Sequence, residues 1–181
     1  MNVCLLGTSC VGKTSVFKAL KQDISFKDWG FHESISRQLI AKGLLKRPFD
    51  SIESQRILFD KYIDILGQDN RNCIFDRSII DIFTFTKTKI QMNCDGFEKS
   101  ELMRENRLLA QNIDKIDHIF YFPIYWENQD DGERAIDPKL LQLWDENIRN
   151  IQHFLNVKCD IIPNCSVTER VRFIKKKLFK K

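Results

Sequence analysis

The sequence predicts an α/β protein in three layers: a mostly parallel, five-stranded sheet with helices on both faces. Three observations lead there. Short apolar runs alternate with longer segments of helical periodicity along the whole chain, the pattern of parallel strands joined by crossover helices. The first apolar run passes through a glycine-framed loop straight into a helical segment. The 181 residues are 43% hydrophobic and 30% charged, enough apolar material for one core, with no repeat, linker or low-complexity stretch to divide it. Residues 1–181 are therefore expected to form a single domain.

Each element has a local reason. Residues 2–6 are a short strand, and residues 13–22 a helix whose Val16, Phe17 and Leu20 form one apolar face. Residues 23–29 read as a loop, and residues 29–32 as a short second strand. Residues 33–41 have helical spacing at Ile35, Leu39 and Ile40, and Gly43 ends the run. Ser51 is an N-cap for a long helix over 51–66, with Ile52, Phe59, Tyr62, Ile63 and Leu66 in register and Gly67 as its stop. Residues 72–76 form a buried strand ending in an acid. Helices follow over 78–90 and 100–115, the second carrying Leu102, Met103, Leu108, Leu109 and Ile113. Residues 117–122 are a strand closed by Pro123. Asp137-Pro138 opens a helix over 138–156 with a row of Leu141, Trp144, Ile148, Ile151 and Leu155. The last strand is 159–162. The closing helix is 168–179, with Val171, Ile174 and Leu178 inward.

The loop at the start is the most informative stretch. Gly7-Thr-Ser-Cys-Val-Gly12-Lys13-Thr14 matches G-x-x-x-x-G-K-[ST], the P-loop. A phosphate chain needs several backbone N–H groups aimed at it from one concave turn, and glycines permit the torsions that aim them. The helix that follows adds unpaired N–H groups and the positive end of its dipole. Gly7, Thr8, Ser9, Cys10, Val11, Gly12, Lys13, Thr14 and Ser15 are thus expected to bind nucleotide. Lys13 would reach the β- and γ-phosphates, and the Thr14 hydroxyl would ligate Mg²⁺. The fold class expected is that of P-loop NTPases.

Ligands of open parallel sheets bind beyond the carboxyl ends of the strands. The strand at 72–76 ends in Asp76-Arg77-Ser78. If it neighbours the first strand, Asp76 lies beside the phosphates and can back the metal with Thr14. Arg77 then points into the cleft, where a planar guanidinium suits phosphate. An ordinary surface Asp–Arg pair capping a helix is the blander alternative.

Several short stretches then carry a resemblance. Asp76-Arg77-Ser78-Ile-Ile-Asp81 resembles the D-R-x-x-x-D of bacterial nicotinamide riboside kinase domains and the E/D-R-S of deoxynucleoside kinases. Glu33-Ser-Ile-Ser-Arg37 resembles the E-x-x-x-R of both groups. Asp130-Asp131-Gly132-Glu-Arg134 resembles the D-D-G-x-R of the first group, and Ser166-Val-Thr-Glu-Arg170 its last loop and helix start. The resemblance covers nearly the whole chain. It implies an ATP-dependent small-molecule kinase using ATP and Mg²⁺. It implies Glu33 as the base that orients the acceptor hydroxyl, with Arg37 one turn later on the substrate side. It implies Gln55 as a reader of a base or carboxamide edge, and Arg134 as a lid cation over the transferring group. Lys13, Glu33, Arg77 and Arg134 are then the catalytic set. The acceptor would be a nucleoside, a nicotinamide riboside-like compound or a nucleoside monophosphate.

Composition narrows the rest. The six cysteines form no C-x-x-C pair, and the three histidines have no ligand spacing, so no structural metal and a reducing, cytoplasmic setting are expected. Met1 leads directly into the first strand, and no apolar run is long enough to span a membrane. The net charge of +4 comes partly from a lysine-rich tail, read as a solvated helix end. Lysines gathered there rather than along an aromatic groove argue against a nucleic-acid substrate; an oligomer is compatible with the chain. Two rivals stand beside the kinase. One is a GTPase-like regulator, suggested by the loop and by Asp64-Ile-Leu-Gly67-Gln68, but without an N-K-x-D motif. The other is a nucleotide-binding switch with no small-molecule acceptor.

Overall fold

The computed structural model describes residues 1–43, 51–68, 72–125 and 137–179; at Arg37 it describes the backbone only. Five strands form one all-parallel sheet: β1 (Asn2–Leu6), β2 (Gly30–His32), β3 (Cys73–Phe75), β4 (His118–Tyr121) and β5 (Lys158–Ile161). Their order is β2-β3-β1-β4-β5. Register sets Cys4 beside Phe75 on one side of β1 and beside Ile119 on the other. From β1 the chain crosses to β2 at one edge and returns to β3 beside β1, then crosses over β1 to β4 on its other side. Such a reversal opens a crevice at the carboxyl ends of the strands, where the P-loop lies.

β1 is buried on both faces, so its side chains divide between two cores. Val3 and Leu5 pack with Val16, Phe17 and Leu20 of α1 (Lys13–Gln22) and Ile174 of α7 (Val167–Leu178). Cys4 and Leu6 pack on the opposite face with Leu58, Phe59 and Tyr62 of α3 (Ile52–Leu66), Ile79 and Phe83 of α4 (Ile79–Gln91), and Trp144 and Ile148 of α6 (Pro138–Gln152). Helices α2 (Ile35–Ala41) and α5 (Lys99–Asn112) complete that layer. The three-layer architecture expected from alternation is the one observed.

Most bounds lie within one or two residues of expectation, and the differences have local causes. The loop at 23–29 contains a 3₁₀ turn, Ile24–Phe26, capped by the Asp23 carboxylate accepting from the Ser25 N–H. α6 stops at Gln152, short of Leu155, because the chain must turn to enter β5; Leu155 still packs against the core. α5 departs most. Met103 is 74% exposed, and the inward row is Glu101, Glu105, Leu109 and Asn112. Two of those four are carboxylic acids, each with an internal partner: Arg56 and Arg104 for Glu101, and Thr86 for Glu105. An apolar-periodicity reading cannot find a face buried by polar pairing.

Candidate active site

The helix starts differ in how their first N–H groups are met. α3, α4, α6 and α7 each begin at a side chain that accepts a backbone N–H: Ser51, Ser78, Asp137 and Ser166. α1 begins at Gly12, φ +88°, with no side-chain cap; α2 and α5 also lack one, at Ser34 and Glu98, but α1 is entered through the glycine-framed loop at the end of β1. Its first-turn N–H groups face the crevice, the arrangement that receives an anion. The loop before it is shaped tightly. A Cβ at Gly7, φ +149°, would stand 2.6 Å from the Phe122 carbonyl oxygen, so no side chain fits.

Charged side chains and one hydroxyl meet at this loop. The Lys13 ammonium is buried and donates to the carbonyl of Gly7 at 2.6 Å and to that of Thr8. The Thr14 hydroxyl donates to Asp76 Oδ2 at 3.0 Å. Asp76 is placed by the sheet: its N–H donates to the His32 carbonyl at 2.9 Å, just past the end of β3, and Tyr62 Oη donates to its carbonyl at 3.4 Å. Burial pushes the Tyr62 phenol well above its usual range, so it remains a donor. Arg77 takes φ +115°, a strained value for a residue with a side chain, and its Nη1 lies 3.5 Å from Asp81 Oδ1.

Asp81 is the hub. It is 1% exposed. Its Oδ1 accepts the Gly7 N–H at 3.2 Å, and its Oδ2 accepts the Ser78 N–H at 2.7 Å and the Ser78 hydroxyl at 3.2 Å. One carboxylate thus joins the P-loop, the start of α4 and Arg77. Burial pushes its carboxyl above the usual range, against the pull of Arg77 and then Lys13. On the far side of the loop, buried Arg170 donates from Nη1 to the Val11 carbonyl at 3.2 Å.

Sequence-based candidates divide accordingly. Lys13, Thr14, Asp76 and Arg77 come together around Gly7 and Gly12. Thr8 and Val11 are buried beneath the loop, Ser9 and Cys10 half-buried along it, and Ser15 is exposed on α1. Glu33 follows β2 directly, next to Asp76 in the sheet, but its Oε1 is held by Lys21 Nζ at 3.1 Å in an exposed pair at the distal turn of α1. Gln55 is not a surface amide: it is 3% exposed on the inward face of α3. Arg37 lies on α2, its side chain outside the described residues, as is Arg134 altogether. Asp81 and Arg170 had no assigned role. The spacing Ser78-x-x-Asp81 is a capping-box signal, which fixes Asp81 at a helix start but says nothing of its reach to Gly7.

A family model described as an AAA domain matches residues 2–170. The chain belongs to the AAA domain family. No curated protein matches it in sequence. Among solved structures, this AAA domain is similar to deoxyadenosine kinase from M. mycoides with bound dCTP, at TM-score 0.71 and 15% identity over 98% of both chains. It is similar to NadR protein in complex with NR, at TM-score 0.73 and 17% identity; the match spans 99% of this chain and 52% of NadR. It is similar to thymidylate kinase from Ehrlichia chaffeensis, at TM-score 0.67 and 13% identity over 98% of both chains. At these identities the likeness is one of fold, and that fold is the one the motif resemblance implied. Among the described residues of this AAA domain, no helix is long and apolar enough to cross a membrane.

Proposed function

We propose that this protein transfers the γ-phosphoryl group of ATP, with Mg²⁺, to a small nucleoside-like acceptor. The observation that carries the proposal is the convergence of an uncapped helix start, Lys13, the Thr14–Asp76 pair and Arg77 on one crevice. Positive groups and backbone dipoles gather where a triphosphate accumulates negative charge, which is the work phosphoryl transfer requires of a protein. The likeness to deoxyadenosine kinase, to thymidylate kinase and to NadR in complex with NR supports a nucleoside-like acceptor.

The donor set suits Mg²⁺. Thr14 and Asp76 offer two oxygens 3.0 Å apart beside the anion cradle, and this cation commonly takes one or two protein oxygens and completes its shell with water and phosphate. Bound there, it would neutralise charge on the β- and γ-phosphate oxygens. The protein's own groups do the rest. Lys13 turns from the Gly7 and Thr8 carbonyls to the phosphates. Arg77 meets the transferring group from the β3 side. Glu33 releases Lys21, orients the acceptor hydroxyl and takes its proton as the acceptor oxygen bonds to phosphorus and ADP departs. Arg37, Gln55 and Arg134 complete the acceptor side and the lid. All six cysteines are thiols, in keeping with a reducing, cytoplasmic setting.

The GTPase alternative loses its second motif. Asp64 lies inside α3, which runs to Leu66 with Gly67 as its C-cap, so Asp64–Gln68 closes a helix instead of leaving a strand. A switch without an acceptor is tested directly. The protein is incubated with Mg²⁺ and ATP against deoxynucleosides, ribonucleosides, nicotinamide riboside and nucleoside monophosphates, and ADP release is followed. Release that depends on one acceptor class, and is lost in Lys13→Ala, supports the kinase. A flat panel with tight ATP binding overturns it in favour of the switch.

A further inference from the structure

Trp144 occupies a place that no motif assigned. It lies on α6, 5% exposed, in the core between sheet and helices. Its ring plane is fixed from three sides. Nε1 donates to the Asp81 carbonyl at 3.2 Å and to Thr84 Oγ1 at 3.0 Å, and the Phe85 ring meets it edge-on at 5.0 Å. Over the ring sits the Arg77 guanidinium, its carbon 5.6 Å from the centroid. That is within the range at which an indole face attracts a cation.

We infer that Trp144 is a positioning residue for Arg77: its indole face holds the guanidinium beside the Asp81 carboxylate, turned toward the P-loop crevice. The inference rests on the kinase reading for its catalytic meaning, but its geometry stands apart from it. A carboxylate fixes a guanidinium through the N–H groups it uses, whereas an aromatic face attracts the cation without consuming them. Among the described residues Arg77 has one partner of each kind, Asp81 at 3.5 Å and Trp144 beneath. The N–H groups not aimed at Asp81 are thereby kept for phosphate. The backbone points the same way. A φ of +115° at a residue with a side chain persists only where its surroundings over-determine it. Here the surroundings are the Asp81 and Trp144 contacts. Since Asp81 also binds the Gly7 N–H, one line of contacts runs from α6 through Arg77 to the phosphate loop.

Two measurements test this. The first leaves Trp144 in place. In W29F/W126F protein Trp144 is the sole indole, and its emission is followed while ATP and Mg²⁺ are added. Phosphate taking up the N–H groups of the cation over the ring should change the emission, and R77Q should abolish that change at ATP concentrations shown by isothermal titration to saturate the variant. Equal titrations with and without Arg77 overturn the inference. The second compares W144F with W144L, each verified as folded by circular dichroism, using ADP release with the acceptor found in the panel. W144F keeps a π-face and should stay within about threefold of the parent. W144L should lose about 10- to 30-fold in kcat with the KM for ATP unchanged. Matching losses in both variants, or a loss in KM alone, would reduce Trp144 to core packing. If no acceptor is phosphorylated, the kinase reading fails by itself and the emission titration still decides the Arg77–Trp144 contact.

Discussion

Glu105 offers a perturbation whose size follows from the structure. Its side chain lies at 0% exposure between α5 and α4, with Oε1 accepting the Thr86 hydroxyl at 3.1 Å and Oε2 without a hydrogen-bond partner among the described residues. Burial pushes its pKa from an ordinary 4.5 up to about 8, helped by Glu101 and Asp60 and opposed by Thr86 and Arg104. The unfolded chain loses this proton near pH 4.5, while the folded protein keeps it until about pH 8. Between those values the unfolded state binds fewer protons, so stability falls as pH rises, by about 1.4 kcal/mol per pH unit. The full loss is about 4–5 kcal/mol, complete above pH 8 and absent below pH 4.5. Glu105→Gln removes it. The amide oxygen can still accept from Thr86, while the new N–H₂ group lacks a partner, which costs about 1–3 kcal/mol at every pH. The variant should therefore be slightly less stable than the parent at pH 5 and about 1–4 kcal/mol more stable at pH 9. Urea unfolding followed by circular dichroism at pH 5, 7 and 9 measures the difference. A gap that does not change between pH 5 and pH 9 would refute a neutral, buried Glu105.

Three other outcomes follow from the site. Glu33→Gln should lower turnover ~10²–10⁴-fold with ATP binding intact, measured by ADP release against isothermal titration of ATP; unaltered turnover removes Glu33 as the base. Gly7→Ala drives a Cβ to 2.6 Å from the Phe122 carbonyl, and should cost at least ~2 kcal/mol in stability while abolishing ATP binding; a normal melting curve would contradict the tight approach. Arg170→Met keeps the apolar stem but removes the bond to the Val11 carbonyl, and should weaken ATP binding about tenfold, with KM for the acceptor unmoved. An affinity equal to the parent's would show that the loop needs no support from α7.

The elements of this fold were legible because each is signed locally. Alternating β and α runs, Gly67 and Gly43 as stops, and Ser51, Asp137 and Ser166 as starts place them to within a residue or two in most cases. The phosphate side of the site was legible for the same reason, since Gly7 to Thr14 is one continuous stretch. What escaped depends on distance in sequence. Asp81 reaches Gly7 across 74 residues, Arg170 reaches Val11 across 159, and Trp144 meets Arg77 only because α6 crosses α4. The inward row of α5 escaped for another reason: hydrophobic periodicity is blind to carboxylates buried by pairing. The position of Glu33 beside Asp76 follows from strand order, but its pairing with Lys21 is a tertiary choice that no motif contains.

The bare start of α1 has a consequence for how this protein can change. Elsewhere in the chain, a serine or aspartate at a helix entrance is an easy route to higher melting temperature. At position 12 that route is closed. The left-handed turn resists any side chain, and an added Cβ would crowd Arg170 Nη1 at 3.0 Å. An oxygen placed there would also stand where the proposed function puts phosphate. On the proposed function the first helix is finished by its ligand, and occupancy becomes a structural term: ATP at a hundred times its dissociation constant would add about 2.7 kcal/mol to the folded form. Selection for tighter self-sufficiency at this one corner would work against the ligand that the corner is shaped to hold.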